Sequence, residues 1–208
     1  LDEPLSNLDA RLREEVRGKI RELAKQIGAT VLYVTHDQVE AMANADKIAL
    51  MQSGELLQVG PPMELYHRPC RAEVAEFFGS VNWLKGKILE PSLAETPIGH
   101  IRINKPLNLG EEVLVGFRPE SLTIMESHGS ANSNSFQGTL RSSTFLGDQV
   151  VYCVEVENQL LMGKGRAGLA NSAGPIYLHV DPVDVMVFPA GQKTGVAAIE
   201  QSDYRQTV

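Results

Sequence analysis

The chain has 208 residues, 43% of them apolar, and its 26 acidic against 19 basic side chains give a formal charge of −7. That length holds one large or two small domains, and the acidic balance argues against nucleic acid as the main partner, which would favour a basic face. No run approaches 18 apolar residues, so no helix here is expected to span a membrane, and the two cysteines, Cys70 and Cys153, form neither a metal pattern nor a disulfide framework and fit a reducing compartment.

Residues 1–9, LDEPLSNLD, place an acidic pair before a proline turn and a polar loop, and read as the end of an element that starts upstream. Leu8, Leu12, Val16, Ile20, Leu23 and Ile27 then recur at three- and four-residue steps, which predicts a helix with one apolar stripe. Ser6 is its expected cap, Asp9 favours its positive end, and Gly28 is the expected left-handed stop. Thr30–Val34 is short, β-branched and aromatic, as a buried strand would be. Asp37 is expected to cap a second helix, with Glu40 as the acid of a capping box. Lys47–Met51 reads as a strand, Ser53-Gly54 as a turn, Pro61-Pro62 to about His67 as a short helix, and Arg71–Phe78 as another, ending at Gly79. Over residues 1–79 the expectation is therefore an α/β domain with helices covering strands.

From about residue 84 the pattern changes. Short alternating segments occur at Lys85–Leu89, His100–Ile103, Val113–Phe117, Leu122–Met125, Gly138–Phe145, Val150–Val156, Leu160–Lys164, Ile176–Val180 and Val183–Phe188, separated by Gly, Pro, Asn and Ser. They predict an all-β domain over 80–189, a small closed or nearly closed barrel, followed by a weakly patterned tail at 190–208. His128–Ser135 reads as a polar surface loop, and Phe145 and Phe188 as core. Arg118 and Glu120 read as a local ion pair or strand end. Arg141, Lys164 and Arg166 read as a solvated face of the barrel. His67, Cys70 and Arg71 read as ordinary structure.

The sharpest chemistry lies in Asp2, Glu3 and His36. Nucleotide hydrolysis needs a carboxylate near magnesium and a group that orients or deprotonates water, and adjacent acids at a strand end can divide those tasks. An isolated Asp-Glu pair is ordinary solvated surface; here it opens a longer ordered pattern. His36 follows the expected strand and precedes a capped helix, where an imidazole can hydrogen-bond a phosphate or its attacking water. Asp37 is already explained by capping. The polar groups of Ser6, Asn7 and Asp9 offer either caps or contacts to a neighbouring nucleotide site. No Gly-x-x-x-x-Gly-Lys-Ser/Thr phosphate loop occurs in these residues.

The segments LDEPLSNLDA and YVTHDQVEAMANADKIALMQSGELLQVGPPMELYHRP closely resemble the C-terminal part of an ATP-binding-cassette (ABC) transporter ATPase. The subgroup is the bacterial importer ATPases that include maltose, polyamine, ferric-iron, sulfate and molybdate transport. The resemblance is dense over 1–79 and looser over 80–189, where FRPESL at Phe117–Leu122 marks the subgroup's TOBE-like, oligonucleotide-binding-like β domain. The resemblance implies that Asp2 ends the Walker B strand and helps place magnesium, and that Glu3 is the carboxylate acting on water. It implies that Ser6, Asn7, Leu8 and Asp9 form the D-loop, which touches the opposite subunit's site, and that His36 is the switch histidine. ATP and Mg2+ are the implied cofactors. The implied partners are a second ATPase subunit, membrane permease subunits and an extracytoplasmic solute-binding protein, with no nucleic acid; the implied location is the cytoplasmic face of the membrane. The family's phosphate loop, glutamine loop and LSGGQ-type signature are absent, so the implied object is a fragment of an ATP-hydrolysing importer subunit, one that binds ATP poorly by itself. The alternative is a non-catalytic regulatory or dimerisation module with a small-ligand-sensing β domain.

Overall fold

The computed structural model describes residues 1–5, 9–125, 133–165 and 175–192. The chain divides into two compact units, Leu1–Cys70 and Arg71–Val208. The division falls ahead of the boundary at 79/80 read from the sequence.

In the first unit, helix α1 spans Ala10–Gln26. Its cap is Asp9, not Ser6 as expected. Helical backbone begins only at Ala10, so Asp9 is the residue whose carboxylate reaches an otherwise unpaired first-turn donor, the Leu12 N–H at 3.0 Å. The stop follows expectation. Gly28 takes a φ of 66°, its N–H goes to the Lys25 carbonyl and the Ala29 N–H to the Ala24 carbonyl, which satisfies two carbonyls left over at the helix end. Helix α2, Gln38–Asn44, is capped by Asp37, which accepts from the Val39 and Glu40 amides at 2.8 and 3.1 Å. Strands β1 (Ile48–Gln52) and β2 (Glu55–Gly60) pair antiparallel around Ser53-Gly54, and both turn residues have positive φ, 50° and 82°. That is the twist-matched two-residue hairpin turn. Helix α3, Pro62–His67, opens on a proline where the missing N–H costs nothing.

Two expectations for this unit are not met. Thr30–Val34 forms no strand; its ladder contact is a single parallel bridge, Asp2 to Val34. Parallel strands are stable when neighbours and helices cover them, whereas Leu32 and Val34 are 81% and 48% exposed. The apolar stripe of α1 is also largely uncovered, with Leu12, Leu23 and Ile27 exposed. The helix-covered sheet expected over 1–79 is thus reduced, among the described residues, to that bridge and the β1–β2 hairpin.

The second unit opens with helix α4, Ala72–Phe77. Among the described residues ten strands follow: β3 (Asn82–Glu90), β4 (Leu93–Thr96), β5 (Gly99–Arg102), β6 (Glu112–Phe117), β7 (Thr123–Met125), β8 (Asn134–Phe145), β9 (Val150–Val156), β10 (Gln159–Gly165), β11 (Pro175–Val180) and β12 (Met186–Pro189). They make two antiparallel five-stranded sheets, ordered β12-β6-β3-β4-β5 and β10-β9-β8-β11-β7. Alternation along the strands turns Leu84, Ile88, Val115 and Phe117 from one sheet, and Val154, Leu161, Ile176 and Leu178 from the other, into one buried core. The all-β expectation holds for this part of the chain. Strand β4 is the element the segment list lacks.

Phe188 is buried and meets the Trp83 ring edge-on at a centroid distance of 5.9 Å. Phe145 is not core: it is 63% exposed, because the far half of β8, Ser142–Phe145, runs beyond the residues that cover its start. The polar loop expected at His128–Ser135 falls mostly on 126–132, outside the described residues, while Asn134 and Ser135 already belong to β8. Arg141 is ion-paired with Glu155, and Arg166 lies outside the described residues. Arg118 is buried and donates to the Ala75 carbonyl at 3.2 Å, tying the end of β6 to α4. Cys70 and Cys153 are free thiols.

Candidate active site

Leu1–Glu3 runs beside Leu32–Val34. The Leu1 nitrogen donates to the Leu32 carbonyl (2.8 Å), the Val34 amide to the Leu1 carbonyl (2.8 Å), and the Glu3 amide to the Val34 carbonyl (2.9 Å). This parallel register has one consequence for chemistry: Glu3, which ends one segment, and His36, which follows the other, lie at the same end. The carboxylate of Glu3 and the imidazole of His36 therefore meet, Oε1 to Nδ1 at 3.1 Å, although 33 residues separate them in sequence. A carboxylate only accepts, so this contact places the proton on Nδ1. Both groups remain open to water, with side-chain exposures of 47% for Glu3 and 75% for His36. Glu3 holds a φ of 42°, a left-handed conformation that costs a non-glycine residue on the order of 1 kcal/mol.

Behind His36 lies a small polar recess lined by Glu3, Arg13, Thr35, His36, Asp37 and Glu40. Arg13 on α1 stands 3.5 Å from the Asp37 carboxylate and 3.8 Å from that of Glu40. Glu40 is only 4% exposed. It does not close the expected capping box; its Oε2 accepts the Thr35 hydroxyl at 2.8 Å and the Tyr33 hydroxyl at 3.2 Å, and the Asp37 amide goes to Thr35 Oγ1 instead. The Asp37 amide that a capping box would pair with Glu40 is taken by the Thr35 hydroxyl at 3.0 Å.

The sequence-predicted residues are thus distributed as follows. Glu3 and His36 are brought together; Asp2 is exposed one residue from them, at the parallel bridge. Asp9 serves as the cap of α1. Ser6 and Asn7 lie outside the described residues. Sequence reasoning missed Arg13, Thr35 and Tyr33 and misread Glu40. The Thr-x-Asp spacing at Thr35 and Asp37 is the one local signal that marks a hydroxyl able to receive the later amide.

The first unit thus brings an acid and a histidine together at the ends of two paired segments, and the second is an all-β unit of two five-stranded sheets. Residues 115–188 match the TOBE domain family. The chain is 36% identical over 194 residues to the Fe(3+) ions import ATP-binding protein FbpC of Fusobacterium nucleatum, covering 90% of this chain and 52% of that protein. It is 36% identical over 171 residues to the spermidine/putrescine import ATP-binding protein PotA of Thermotoga maritima, covering 78% and 46%. For the Escherichia coli FbpC the identity is 36% over 190 residues, covering 89% and 53%. The solved structure of the cytoplasmic molybdate-binding protein ModG has a TM-score of 0.46 at 11% identity, covering 51% of this chain and 94% of that one. Over most of its length the chain is thus similar to import ATP-binding proteins, and residues 115–188 match the TOBE domain. The chain spans about half the length of the curated relatives it matches.

Proposed function

We propose that this chain is part of the ATP-hydrolysing subunit of a bacterial ABC importer and that Glu3 and His36 belong to the centre that activates water. The observation that carries the reading is their contact at 3.1 Å from the ends of two paired parallel segments. Glu3 is the acceptor for the proton of the attacking water. His36 holds that carboxylate in place through Nδ1–H and, when protonated, has a second donor at Nε2 for a phosphate oxygen. The work of such a site is positioning and charge stabilisation, with little covalent chemistry for the protein to perform.

Among the described residues no group of three or more His, Cys, Asp or Glu side chains could hold a metal alone. Magnesium does not require one: it keeps several waters and takes one or two carboxylates plus substrate phosphate oxygens. The hard, exposed carboxylate of Asp2 beside Glu3 fits that demand. Bound there with ATP, magnesium would neutralise charge on the phosphates. Ser6, Asn7 and Asp9 would face a second ATPase subunit, and permease subunits with an extracytoplasmic solute-binding protein would complete the transporter at the cytoplasmic face of the membrane. No helix among the described residues is long and apolar enough to cross a membrane.

The test is magnesium-dependent ATP hydrolysis by the intact protein, by this chain, and by an intact Glu3→Gln variant. Hydrolysis by the intact wild type, absent from this chain and lowered at least about a hundredfold in the variant, is the expected result. Full hydrolysis by the intact variant would remove Glu3 from its role. No hydrolysis by the intact protein, with its membrane partners present, would favour a non-catalytic regulatory module.

A further inference from the structure

A carboxylate in a protein interior is expensive unless paired, and a short helix next to solvent seldom buries one. Glu40 on α2 is 4% exposed. Its surroundings explain what it holds. The Thr35 hydroxyl donates to Glu40 Oε2 at 2.8 Å and accepts the Asp37 amide at 3.0 Å, so the side chain before His36 and the backbone after it are tied to one point. The Tyr33 hydroxyl donates to the same oxygen at 3.2 Å. Arg13 lies within ion-pair range of both Glu40 and Asp37 and brings α1 to the same place. His36, between Thr35 and Asp37 in this run, makes its side-chain contact with Glu3, Nδ1 to Oε1 at 3.1 Å.

We propose that Glu40 is a positioning residue that acts on His36 through Thr35: it fixes the turn from which the imidazole projects, so that Nδ1 stands against the Glu3 carboxylate. The proposal deepens the reading of Glu3 and His36 as a chemical pair and rests on it. Glu40 touches neither nucleotide nor water in this role. Its effect is to cut the number of conformations the 35–37 turn can take, leaving the ring orientation preorganised.

Imidazole nitrogen NMR on this chain, without nucleotide, tests the positioning alone. The wild type is expected to show His36 as one tautomer, with the proton on Nδ1. Thr35→Val, nearly isosteric and leaving the Asp37 cap of α2 untouched, is expected to lose that signature to tautomer averaging. Glu40→Met should do the same, and Thr35→Ser, which keeps the hydroxyl, should restore it. Unaltered His36 nitrogen signals in both Thr35→Val and Glu40→Met would overturn the proposal. In the intact protein, Thr35→Val is expected to lower kcat about a hundredfold with KM little changed, and Thr35→Ser to recover it, as for a misplacement of order 1 Å. An intact protein without ATPase activity would sink the functional reading, while the nitrogen signals would still decide whether Glu40 positions His36.

Discussion

Asn82 and Met162 are joined as if two strands met at them: the Asn82 side-chain amide donates to the Met162 carbonyl at 2.8 Å and its oxygen accepts the Met162 amide at 2.8 Å. Asn82 opens the central strand of one sheet, and Met162 lies on β10, the edge strand of the other. Asn134 repeats the device in the opposite sense. It opens β8, the centre of the second sheet, and pairs with both backbone groups of Arg102 on edge strand β5, at 2.6 and 2.9 Å. Each sheet thus has one open edge covered at a single point by an asparagine from the middle of the other, which satisfies groups that would otherwise be stranded at the sheet junction.

Truncating this clamp leaves a backbone donor and acceptor without their partners, and each such group costs about 1–3 kcal/mol when water cannot replace the bond. Asn82→Ala is expected to lower stability by about 2–4 kcal/mol. Asn82→Asp should also destabilise, because it keeps the acceptor for the Met162 amide but sets a carboxylate against the Met162 carbonyl. Urea unfolding followed by the fluorescence of Trp83, the single tryptophan, gives the difference. Midpoints equal to wild type for both variants would mean that water substitutes for the clamp.

Two glycines are required by aromatic side chains directly opposite them. Trp83 faces Gly116 across β3 and β6, and Tyr152 faces Gly163 across β9 and β10. A Cβ on either glycine would fall within the facing ring. Large rings lying over a glycine in this way restore cover that the glycine cannot provide. Gly116→Ala and Gly163→Ala are each expected to lower stability by about 1–3 kcal/mol through overpacking. Gly110→Ala has open space around its Cβ but a φ of 81°, and should cost about 1 kcal/mol from backbone strain alone. Thermal melts of the three variants separate steric from conformational cost.

What was legible in the sequence was mostly local. The stop of α1 at Gly28 and the cap of α2 at Asp37 follow from single residues acting within one turn, and the change from helical to alternating period marks where the β unit begins. Glu3 and His36 were legible as residue types at strand ends. The parallel register that brings them together was not, since Thr30–Val34 keeps only one bridge of the strand its composition suggests. Asn82 drew no reading and Asn134 fell within the expected polar loop, because nothing local distinguishes a turn asparagine from one pairing across 80 residues. Glu40 misled for a related reason: its spacing from Asp37 suits a capping box equally well, and only the hydrogen bond from Thr35 shows what its oxygen serves. Phe145 misled because an aromatic residue ending an alternating segment does not reveal that its strand outruns the core.

The two thiols should differ sharply in reactivity. Cys70 is exposed, whereas Cys153 is buried on β9. Burial raises the Cys153 pKa from 9.0, the Glu155 carboxylate adds to the rise, and Arg141 opposes it. The thiolate is the reactive species, so Cys153 is suppressed both by access and by charge state. At pH 8, a maleimide or disulfide reagent is expected to label one thiol in the folded chain and two in denaturant, with Cys70→Ser abolishing the fast reaction. Rapid labelling of folded Cys70→Ser would show that β9 opens readily.

Alkaline pH should unfold the β unit through Tyr152. Its hydroxyl donates to the Leu122 carbonyl and the residue is 3% exposed. Burial penalises the tyrosinate and pushes the pKa from 10.0 up to about 12. Between those values the unfolded chain has released a proton that the folded chain still holds, so stability falls as pH rises. The contribution is intact below pH 10 and is lost progressively as the pH passes through 12, amounting to about 2–3 kcal/mol over the interval. Cys153, also raised, adds loss of the same sign from pH 9 upward. Tyr152→Phe removes the first contribution and keeps the second. At neutral pH it should be less stable by about 1 kcal/mol, having lost the bond to Leu122. Above pH 10 its urea midpoint should decline less steeply than wild type, so the two curves converge and then cross. Parallel curves across pH 8–12 would mean that Tyr152 ionises in the folded protein as easily as in the unfolded chain.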